Sequence, residues 1–426
     1  MSSKTKTTAP KEEAKPALVP KLRFPEFRET EGWGERPLSE FMSESRLPGS
    51  KGNVAKKITV KLWGNGVFEK NEAIQGSINT QYFRRNAGQF IYSKLDFLNQ
   101  AFGIIPPSLD GFESTVDLPC FDFADGLIPA FLLEYVKRRD FYERLGETAD
   151  GSRKARRIHA ETFLSFPIAL PSTAEQQKIA ECLSSVDELM AAQARKVDAL
   201  KTHKKGLMQQ LFPREGETQP RLRFPEFQNA GEWEMKTMGS IASFSSGGTP
   251  SKDNPAYWNG TIPWVSASSM YDLVVEKADH YVTHIAIGNG TRIAKKGSIL
   301  ILVRGSMLFK RVPICVAGID VAFNQDVKAL DVDTSINTGF LLYHLSAFQS
   351  RFPINETGIG AGKIELDHLK GFELFIPDAP EQQRIATCLS SLDALITAET
   401  QKHEALKTHK NGLMQQLFPS PEEVEA

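Results

Sequence analysis

Two short segments have residue types that could carry group-transfer chemistry. Asn254 to Tyr257 read Asn-Pro-Ala-Tyr, which resembles the Asn-Pro-Pro-Tyr tetrapeptide with which amino-methyltransferases hold an adenine amino group, but the second proline is missing. No strand with a Gly-rich turn is placed to bind S-adenosylmethionine beside it. Residues 358–363 (GIGAGK) resemble a phosphate-binding loop, yet Thr357 and Ile364 replace the Gly or Ala and the Ser or Thr that this motif needs. A flexible turn is the better interpretation.

Two further patterns could hold a metal ion. Asp320 with residues 326–328 (DVK) loosely matches the carboxylate set with which restriction nucleases bind magnesium. His280 and His284 have the spacing of metal ligands, but no nearby Cys or His cluster completes the three or four ligands that zinc needs. Such short patterns arise often by chance. We therefore predict no catalytic residue, cofactor site or metal site in this chain, which leaves binding as its function.

The composition is that of a globular protein with more than one domain. The chain has 426 residues, with 41% hydrophobic and 24% charged residues, and a single core rarely grows to that length. No apolar run approaches the roughly 20 residues that span a bilayer, so we expect a cytoplasmic protein. The four cysteines form no CxxC pair, which predicts reduced thiols.

The charges are unevenly distributed, although the formal net charge is only −1. No acidic residue lies between Asp279 and Asp320, whereas six basic residues do. Glu44 to Glu69 and Glu72 to Asp96 enclose similar acid-free, basic stretches. Such segments are typical of a solvated basic face or of a surface that contacts a polyanion.

The chain consists of one unit written twice. Residues 22–27 (LRFPEF) recur letter for letter at 222–227, and residues 175–213 recur at 381–419 with 27 identities in 39 positions. Between these anchors, a constant shift of 209 aligns Phe131 with Phe340 and the neighbouring leucines with each other. We interpret this as two copies of one fold whose surfaces have diverged, which suits two readers of different targets.

Each copy ends in a long amphipathic helix. Apolar residues follow a 3-4 alternation from Ile179 to Leu211 and again from Ile385 to Leu417, which predicts a coiled-coil seam of about five heptads. About 37 residues make a rod of roughly 55 Å. Neither helix can bury this stripe alone, so we expect the two helices to pair antiparallel with a domain at each end and a pseudo-two-fold axis between them. An ordinary long helix lying on its own domain is the alternative.

The domains between the helices have a mixed α+β pattern. Ser298–Val303 and Gln89–Ser93 are predicted strands, and Ile128–Arg144 and Thr338–Gln349 are predicted helices. The predicted organisation is a disordered tail at 1–20, a first domain at 21–170, a long helix at 171–212, a linker at 213–221, a second domain at 222–377, a long helix at 378–418 and a tail at 419–426.

The repeated motifs resemble the specificity subunits of type I restriction-modification systems. The Leu-Arg-Phe-Pro-Glu-Phe segments, the Glu-Gln-Gln helix openings and the Gly-Leu-Met-Gln-Gln-Leu-Phe helix ends carry this likeness. So do residues 246–251 (SGGTPS) with Tyr257-Trp258 and residues 262–264 (IPW), which look like the start of a target-recognition domain. The likeness extends over nearly the whole chain after the tail.

This resemblance implies a non-catalytic subunit that reads a split, asymmetric double-stranded DNA site through two target-recognition domains. The two long helices would set the gap between the half-sites. Family members assemble with two modification subunits, which bind S-adenosylmethionine and methylate adenine N6, and with restriction subunits, which use ATP and magnesium. The long helices and the repeated N-terminal segments would dock the modification subunits.

Basic and polar side chains in the diverged regions are our candidates for DNA contact. In the first domain they are Arg84, Arg85, Gln89, Tyr92 and Lys94. In the second domain they are Gly248, Thr249, Ser251, Lys252, Arg304, Lys310, Arg311, Asn324, Gln325 and Lys363. A self-sufficient DNA methyltransferase or nuclease, and a coiled-coil scaffold without DNA affinity, remain as alternatives; stoichiometric S-adenosylmethionine binding would favour the methyltransferase.

Overall fold

The computed structural model describes residues 18–71, 76–147, 157–357 and 360–419. The chain divides into two compact units, the first comprising Met1–Ala192 with Lys402–Ala426 and the second comprising Gln193–Gln401. Each unit therefore holds one α+β domain together with a part of both long helices. Most of the predicted N-terminal tail lies outside the described residues, but Leu18 already pairs with Trp33, so ordered structure begins before residue 21. Within the described ranges, no helix has the length and apolar content needed to cross a bilayer.

Among its described residues, the first unit contains eleven short strands and three short helices before the first long helix. The strands are β1 Gly34–Pro37, β2 Met42–Ser45, β3 Pro48–Lys51, β4 Ile58–Val60, β5 Val67–Glu69, β6 Gln81–Arg84, β7 Phe90–Tyr92, β8 Phe102–Ile104, β9 Glu113–Ser114, β10 Cys120–Phe123 and β11 Pro167–Leu170. The helices are α1 Pro129–Val136, α2 Arg139–Glu147, α3 Ala160–Ser165 and the long α4 Thr173–Leu211.

The part of the second unit that the structure describes has fourteen strands and four helices. The strands are β12 Glu234–Thr237, β13 Ala242–Ser246, β14 Trp258–Val265, β15 Val274–Val275, β16 His280–Val282, β17 Arg292–Ala294, β18 Ile299–Leu302, β19 Arg304–Gly305, β20 Ile314–Ala317, β21 Val321–Phe323, β22 Val327–Val332, β23 Asn355–Glu356, β24 Gly362–Lys363 and β25 Glu373–Ile376. The helices are α5 Met238–Ile241, α6 Thr338–Ala347, α7 Leu366–Lys370 and the long α8 Ala379–Leu417.

A corresponding central sheet occurs in both units, with one additional strand, β15, in the second unit. Its strand order is β2-β10-β7-β8 in the first unit and β13-β22-β18-β20-β15 in the second. Strands β7 and β18 are wholly buried, which explains their unbroken apolar sequences. Each unit also has a two-stranded ribbon, β1-β11 or β12-β25, that leads into its long helix. The predicted strands at 89–93 and 298–303 are confirmed, and so is the predicted repetition of one α+β fold.

The units differ in what is inserted after the first strand of that sheet. In the first unit, β2 leads into a three-stranded sheet, β3-β6-β9, and a separate hairpin, β4-β5. In the second unit, β13 leads into a four-stranded sheet, β16-β14-β21-β17. A shared scaffold therefore carries two unrelated insertions.

The two cores are built from different side chains. In the first unit, stacked aromatic rings fill the space behind the sheet; Phe90 and Phe163 are 5.4 Å apart and Tyr92 and Phe121 are 5.7 Å apart. In the second unit, the corresponding volume is filled mostly by aliphatic residues of β18 and β22. Both cores consist of buried apolar side chains, so they supply the main driving force for folding of each unit.

The two long helices are confirmed within one or two residues of the predicted bounds. At the start of α4, Gln176 binds the backbone of the α1 N-terminus, where its Oε1 accepts a hydrogen bond from Ile128 N (2.9 Å). At the start of α8, Gln382 Oε1 likewise accepts a hydrogen bond from Asn337 N (2.8 Å). These buried amides fix the direction in which each helix leaves its domain. They also explain why the Glu-Gln-Gln opening occurs twice.

Within the second unit the helix segments run antiparallel. Gln193 Nε2 donates to the backbone oxygen of Glu399 (2.8 Å), and Lys204 Nζ donates to Asp393 (2.6 Å). The residue number of the partner decreases along α8 as the residue number increases along α4, as an antiparallel pair requires. Seam residues next to the domains are buried, whereas Met190 and Ile396 are only half-buried.

One predicted helix is interrupted. The apolar pattern of residues 128–144 predicted a single helix, but α1 ends at Val136 and α2 begins at Arg139. Arg138 donates to the backbone oxygen of Pro419 (2.9 Å) and its guanidinium lies over the Phe418 ring (5.1 Å). Phe418 and Pro419, which follow α8, are thus packed against the break between α1 and α2. Local periodicity cannot predict such a long-range contact.

Candidate nucleic-acid interface

In the second unit, the segment that follows β13, residues 247–252, lies against the end of β21. Gly248 N donates to Phe323 O (2.9 Å) and Trp264 Nε1 donates to Gly248 O (3.0 Å). A Cβ atom at Gly248 would stand 2.2 Å from Gly290 O, so only glycine fits this close approach. Thr249 Oγ1 donates to Gln325 Oε1 (2.8 Å). The structure thus brings the two predicted groups, 248–252 and 324–325, together.

A second cluster adjoins this turn. Strand β19 pairs with β24, which places Arg304 opposite Lys363. Lys328 Nζ donates to Ser246 Oγ (2.6 Å) at the end of β13. Burial lowers the pKa of Lys328, the carboxylate of Asp326 opposes this shift, and the positive charge of Arg304 adds to it. Val303 N donates to Asp326 O (2.8 Å), so Arg304 follows β18 at the end where β22 begins, near Lys328.

The exposed side chains at this edge suit a phosphate backbone and base edges. Thr249, Ser251, Lys252, Arg304 and Gln325 are all exposed. Lys363 is half-buried and pairs with Glu365 (2.7 Å). Cations position a protein on phosphates, and amides and hydroxyls can read base edges in a groove. The arrangement offers both kinds of group on one surface.

Lys310 and Arg311 follow a 3-10 turn at Ser306–Phe309 and are exposed. The Arg311 guanidinium donates to Met270 O (2.9 Å) and lies over the Tyr271 ring (5.8 Å). Tyr271 and Phe309 are themselves exposed aromatic residues. We did not single out these aromatic residues from the sequence. Their adjacency to basic residues was the available signal.

In the first unit, the structure corrects three predicted contacts. Arg85 is only 2% exposed, and its guanidinium donates to Ser45 O (2.6 Å) and Ser114 Oγ (2.8 Å). Gln89 is buried beside Asp122, and Tyr92 is fully buried in the aromatic core. These three side chains hold the scaffold together and do not face a ligand surface. Their polar types and position beside a basic stretch were misleading, because the sheet turns them inward.

Arg84 and Lys94 remain candidates in the first unit. Arg84 is exposed at the end of β6, and Lys94 is half-buried in the connection between β7 and β8. In the second unit, the structure also corrects the predicted DNA contact of Asn324, as it does that of Arg85. Asn324 is buried, and its Oδ1 accepts a hydrogen bond from Asp326 N (3.1 Å), so it shapes the turn beside Gln325.

Two of the segments with possible catalytic residues, those of Asn254 and Asp320, form hydrogen bonds within the fold. Asn254 Oδ1 accepts a hydrogen bond from Ala256 N (3.1 Å), which caps its own turn. Asp320 accepts from Lys295 Nζ and Lys296 N, and these bonds lower its pKa. Of the loop-like segment, residues 358 and 359 lie outside the described residues. Among the residues that are described, no group of three His, Cys, Asp or Glu side chains could hold a metal ion.

Known proteins share this architecture. A family model described as the type I restriction modification DNA specificity domain matches residues 230–408. The chain is 29% identical over 290 residues to the type I restriction enzyme EcoR124I/EcoR124II specificity subunit of Escherichia coli, covering 65% of this chain and 69% of that protein. It is 26% identical over 182 residues to the type I restriction enzyme MjaIX specificity subunit of Methanocaldococcus jannaschii, covering 41% of each.

Two solved structures have a similar fold. One is a chain from a study of complex assembly and conformational transition of the type I R-M system, with a TM-score of 0.58 and 17% identity over 91% of this chain and 98% of that chain. The other is the type I restriction-modification S subunit from M. genitalium, with a TM-score of 0.55 and 14% identity over 95% of this chain and all of that chain. The doubled α+β scaffold, the repeated helix openings and these matches agree, and the chain is similar in sequence and in fold to type I restriction-modification specificity subunits.

Proposed function

We propose that this chain is the sequence-reading subunit of a type I restriction-modification complex and that each unit reads one half of a bipartite, asymmetric DNA target. The observation that carries this proposal is a corresponding central sheet in both units that supports two different insertions, β3-β6-β9 with a hairpin in one unit and β16-β14-β21-β17 in the other. Two identical readers would select a symmetric site. Two unlike insertions on one scaffold suit two unlike half-sites.

The proposed reading surface of the second unit is the edge that carries Thr249, Lys252, Arg304 and Gln325. Arg304 lies in a stretch without acidic residues, 280–319, so a phosphate there would meet little opposing charge from its sequence neighbours. Joining two such readers in one chain makes the second binding event intramolecular, and two weak short-site interactions become one tight one. The two 39-residue helices are proposed to set the gap between the half-sites.

The features that stay alike in both copies are proposed to dock two identical modification subunits. In the first unit, the Arg23 guanidinium binds the Glu175 carboxylate through two bonds of 2.8 and 2.7 Å. Arg223 binds Glu381 with the same two distances in the second unit. These ion pairs hold each Leu-Arg-Phe-Pro-Glu-Phe segment on the start of a long helix. Each unit therefore offers a partner the same local surface.

The chemistry of the complex is proposed to belong to its other subunits. Modification subunits would bring S-adenosylmethionine and methylate adenine N6, and restriction subunits would bring ATP and magnesium. This chain would contribute only the choice of DNA sequence. The similarity to specificity subunits, a non-catalytic class, supports this division of labour.

A domain exchange tests the proposal. Residues 28–166 are replaced by the matching segment of another specificity subunit, and residues 228–372 are replaced in a matched control. Each chimera is expressed with the modification subunits, and N6-methyladenine is mapped in the host genome. We expect each exchange to change one half-site and to leave the other half-site and the gap unchanged. A change in both half-sites after one exchange would contradict the proposal.

A further inference from the structure

Trp63 is the exposed tryptophan of this chain. Its side chain is 63% exposed, whereas Trp33, Trp233 and Trp264 are buried and Trp258 is half-buried. Trp63 lies in the turn between β4 and β5, in the insertion that distinguishes the first unit from the second. A side chain this large and apolar loses hydrophobic stabilisation when it stays in water. Leu62 and Phe68 on the same hairpin are exposed as well, and exposed apolar side chains that cluster point to a binding role.

The backbone holds Trp63 in a fixed and unfavourable conformation. Its φ angle is +61°, a left-handed conformation that bulky residues rarely adopt. Trp63 N donates to Asn99 O (2.7 Å), and Gly64 N donates to Gln100 O (2.9 Å). Gln100 is left-handed as well, with φ +54°. Glycine or asparagine would form such a turn with less strain, so the tryptophan side chain itself is what this position provides.

The surroundings of Trp63 favour an anionic partner over a basic or a purely apolar one. No acidic residue occurs from Ser45 to Phe68. Lys61 Nζ lies over the exposed Phe68 ring (4.2 Å) on the same hairpin. The hairpin tip packs against the connection between β7 and β8, which also carries Lys94. Asp96 in that connection is engaged, because its carboxylate accepts hydrogen bonds from Ser93 Oγ and Asn99 Nδ2.

We propose that Trp63 contacts the DNA bases of the half-site that the first unit reads. The indole ring would stack on a base or wedge into a base step, and Lys61 would lie at a neighbouring phosphate. Both contacts have physical precedent, since aromatic rings stack on any base and apolar side chains open base steps in the minor groove. This inference rests on the proposed function and names a specificity contact within it.

The test uses the full chain assembled with its modification subunits and a duplex carrying the methylated site. Trp63→Ala should weaken binding about tenfold, the size of one base–aromatic contact, and Trp63→Phe should retain most of the affinity. The salt dependence of binding should not change, because no charge is removed. Ile319→Ala is the matched control, since Ile319 is also exposed but lies before β21, at the end away from Asn324. We expect it to bind like the unaltered chain.

Two further duplexes, each with one half-site scrambled, locate the contact. The effect of Trp63→Ala should disappear when the half-site of the first unit is scrambled and persist when the other is scrambled. Trp63→Ala binding like the unaltered chain, or an equal loss on all duplexes, would overturn the inference. If the unaltered complex does not prefer the methylated site to fully scrambled DNA, the proposed function itself fails.

A crosslinking measurement needs no substitution and so avoids any loss of folding. Each pyrimidine of the half-site is replaced in turn by its 5-iodo analogue, the complex is irradiated, and the crosslinked residue is identified by mass spectrometry. A crosslink to Trp63 from at least one position supports the contact. Crosslinks elsewhere in the chain but none to Trp63 would overturn it.

Discussion

Lys410 occupies a buried ion-pair network in the first unit, and its replacement by methionine should destabilise that unit. Its Nζ lies 2.9 Å from Glu134 and 2.7 Å from Asp187. The Glu134 side chain is only 9% exposed and would keep Lys137 as its one cationic partner. Breaking a buried pair typically costs about 3–5 kcal/mol. Because Lys137 remains, we expect the lower end, about 3 kcal/mol.

The sequence repeat provides a matched control for this substitution. Lys204, the counterpart of Lys410, pairs with Asp393 (2.6 Å) in the second unit. The Asp393 side chain is 29% exposed, and it also accepts a hydrogen bond from Tyr343 Oη (2.7 Å). After Lys204→Met, the Asp393 carboxylate would keep its hydrogen bond from Tyr343 and part of its hydration. We therefore expect a cost of only about 1 kcal/mol.

Hydrogen exchange with mass spectrometry resolves the two effects, because it reports local opening in each unit separately. Peptides from residues 402–417 and from α1 should exchange about 100-fold faster in Lys410→Met, since every 1.4 kcal/mol is a factor of ten. Peptides from residues 193–211 should exchange about fivefold faster in Lys204→Met. Equal effects of the two substitutions, or a larger effect of Lys204→Met, would refute this reasoning.

The pH dependence gives a second check on the same network. Burial alone would raise the pKa of Glu134, but the charges of Lys137 and Lys410 outweigh burial and hold that pKa below its ordinary value of 4.5. A depressed carboxyl pKa contributes stability above the unfolded pKa, and this stability is lost as the pH falls through the folded pKa. The difference between the unaltered chain and Lys410→Met should therefore narrow below about pH 4.5.

Three other predictions address different parts of the chain. Burial, aided by the charge of Arg351, lowers the pKa of His344 to about 3, so the second unit should lose stability as the pH falls from about 6.5 towards 3. Urea unfolding of the unaltered chain and of His344→Phe at pH 7 and pH 4.5 should show a smaller loss in the variant. An equal loss in both proteins would contradict this role of His344. Arg85→Met should destabilise the first unit by about 2 kcal/mol. Arg304→Ala should leave the stability unchanged and should lower the slope of log DNA affinity against log salt concentration by about one. A loss of stability in Arg304→Ala together with a changed salt slope in Arg85→Met would mean that the two roles are reversed. Lengthening α4 and α8 together by about one turn should widen the gap of the methylated site without altering either half-site, and an unchanged gap would show that the helices do not set it.

The features that could be predicted from sequence are those encoded locally or by repetition. The long helices follow from the 3-4 alternation that runs from Ile179 to Leu211 and recurs from Ile385 to Leu417. The strands β7 and β18 follow from their apolar sequences. The doubled fold follows from motifs that return at a constant offset. Each of these signals lies within a short stretch of chain or in a comparison of two stretches.

The features that could not be predicted depend on long-range pairing. Arg85 and Tyr92 lie in a basic, polar stretch, but the partners that bury them come from β2, β9 and β10. Trp63 carries no sequence signal of exposure, since apolar residues in a hairpin are as often buried as exposed. The break between α1 and α2 depends on Phe418, which is about 280 residues away in the chain.

A methylation map tests the reading of two half-sites most directly. N6-methyladenine is sequenced in a strain that carries this chain with its modification subunits and in the same strain without the chain. We predict methylation at two short specified words separated by a fixed number of unspecified bases, and we predict that it vanishes without the chain. A single uninterrupted word, or methylation that persists without the chain, would contradict the division of the target between the two units.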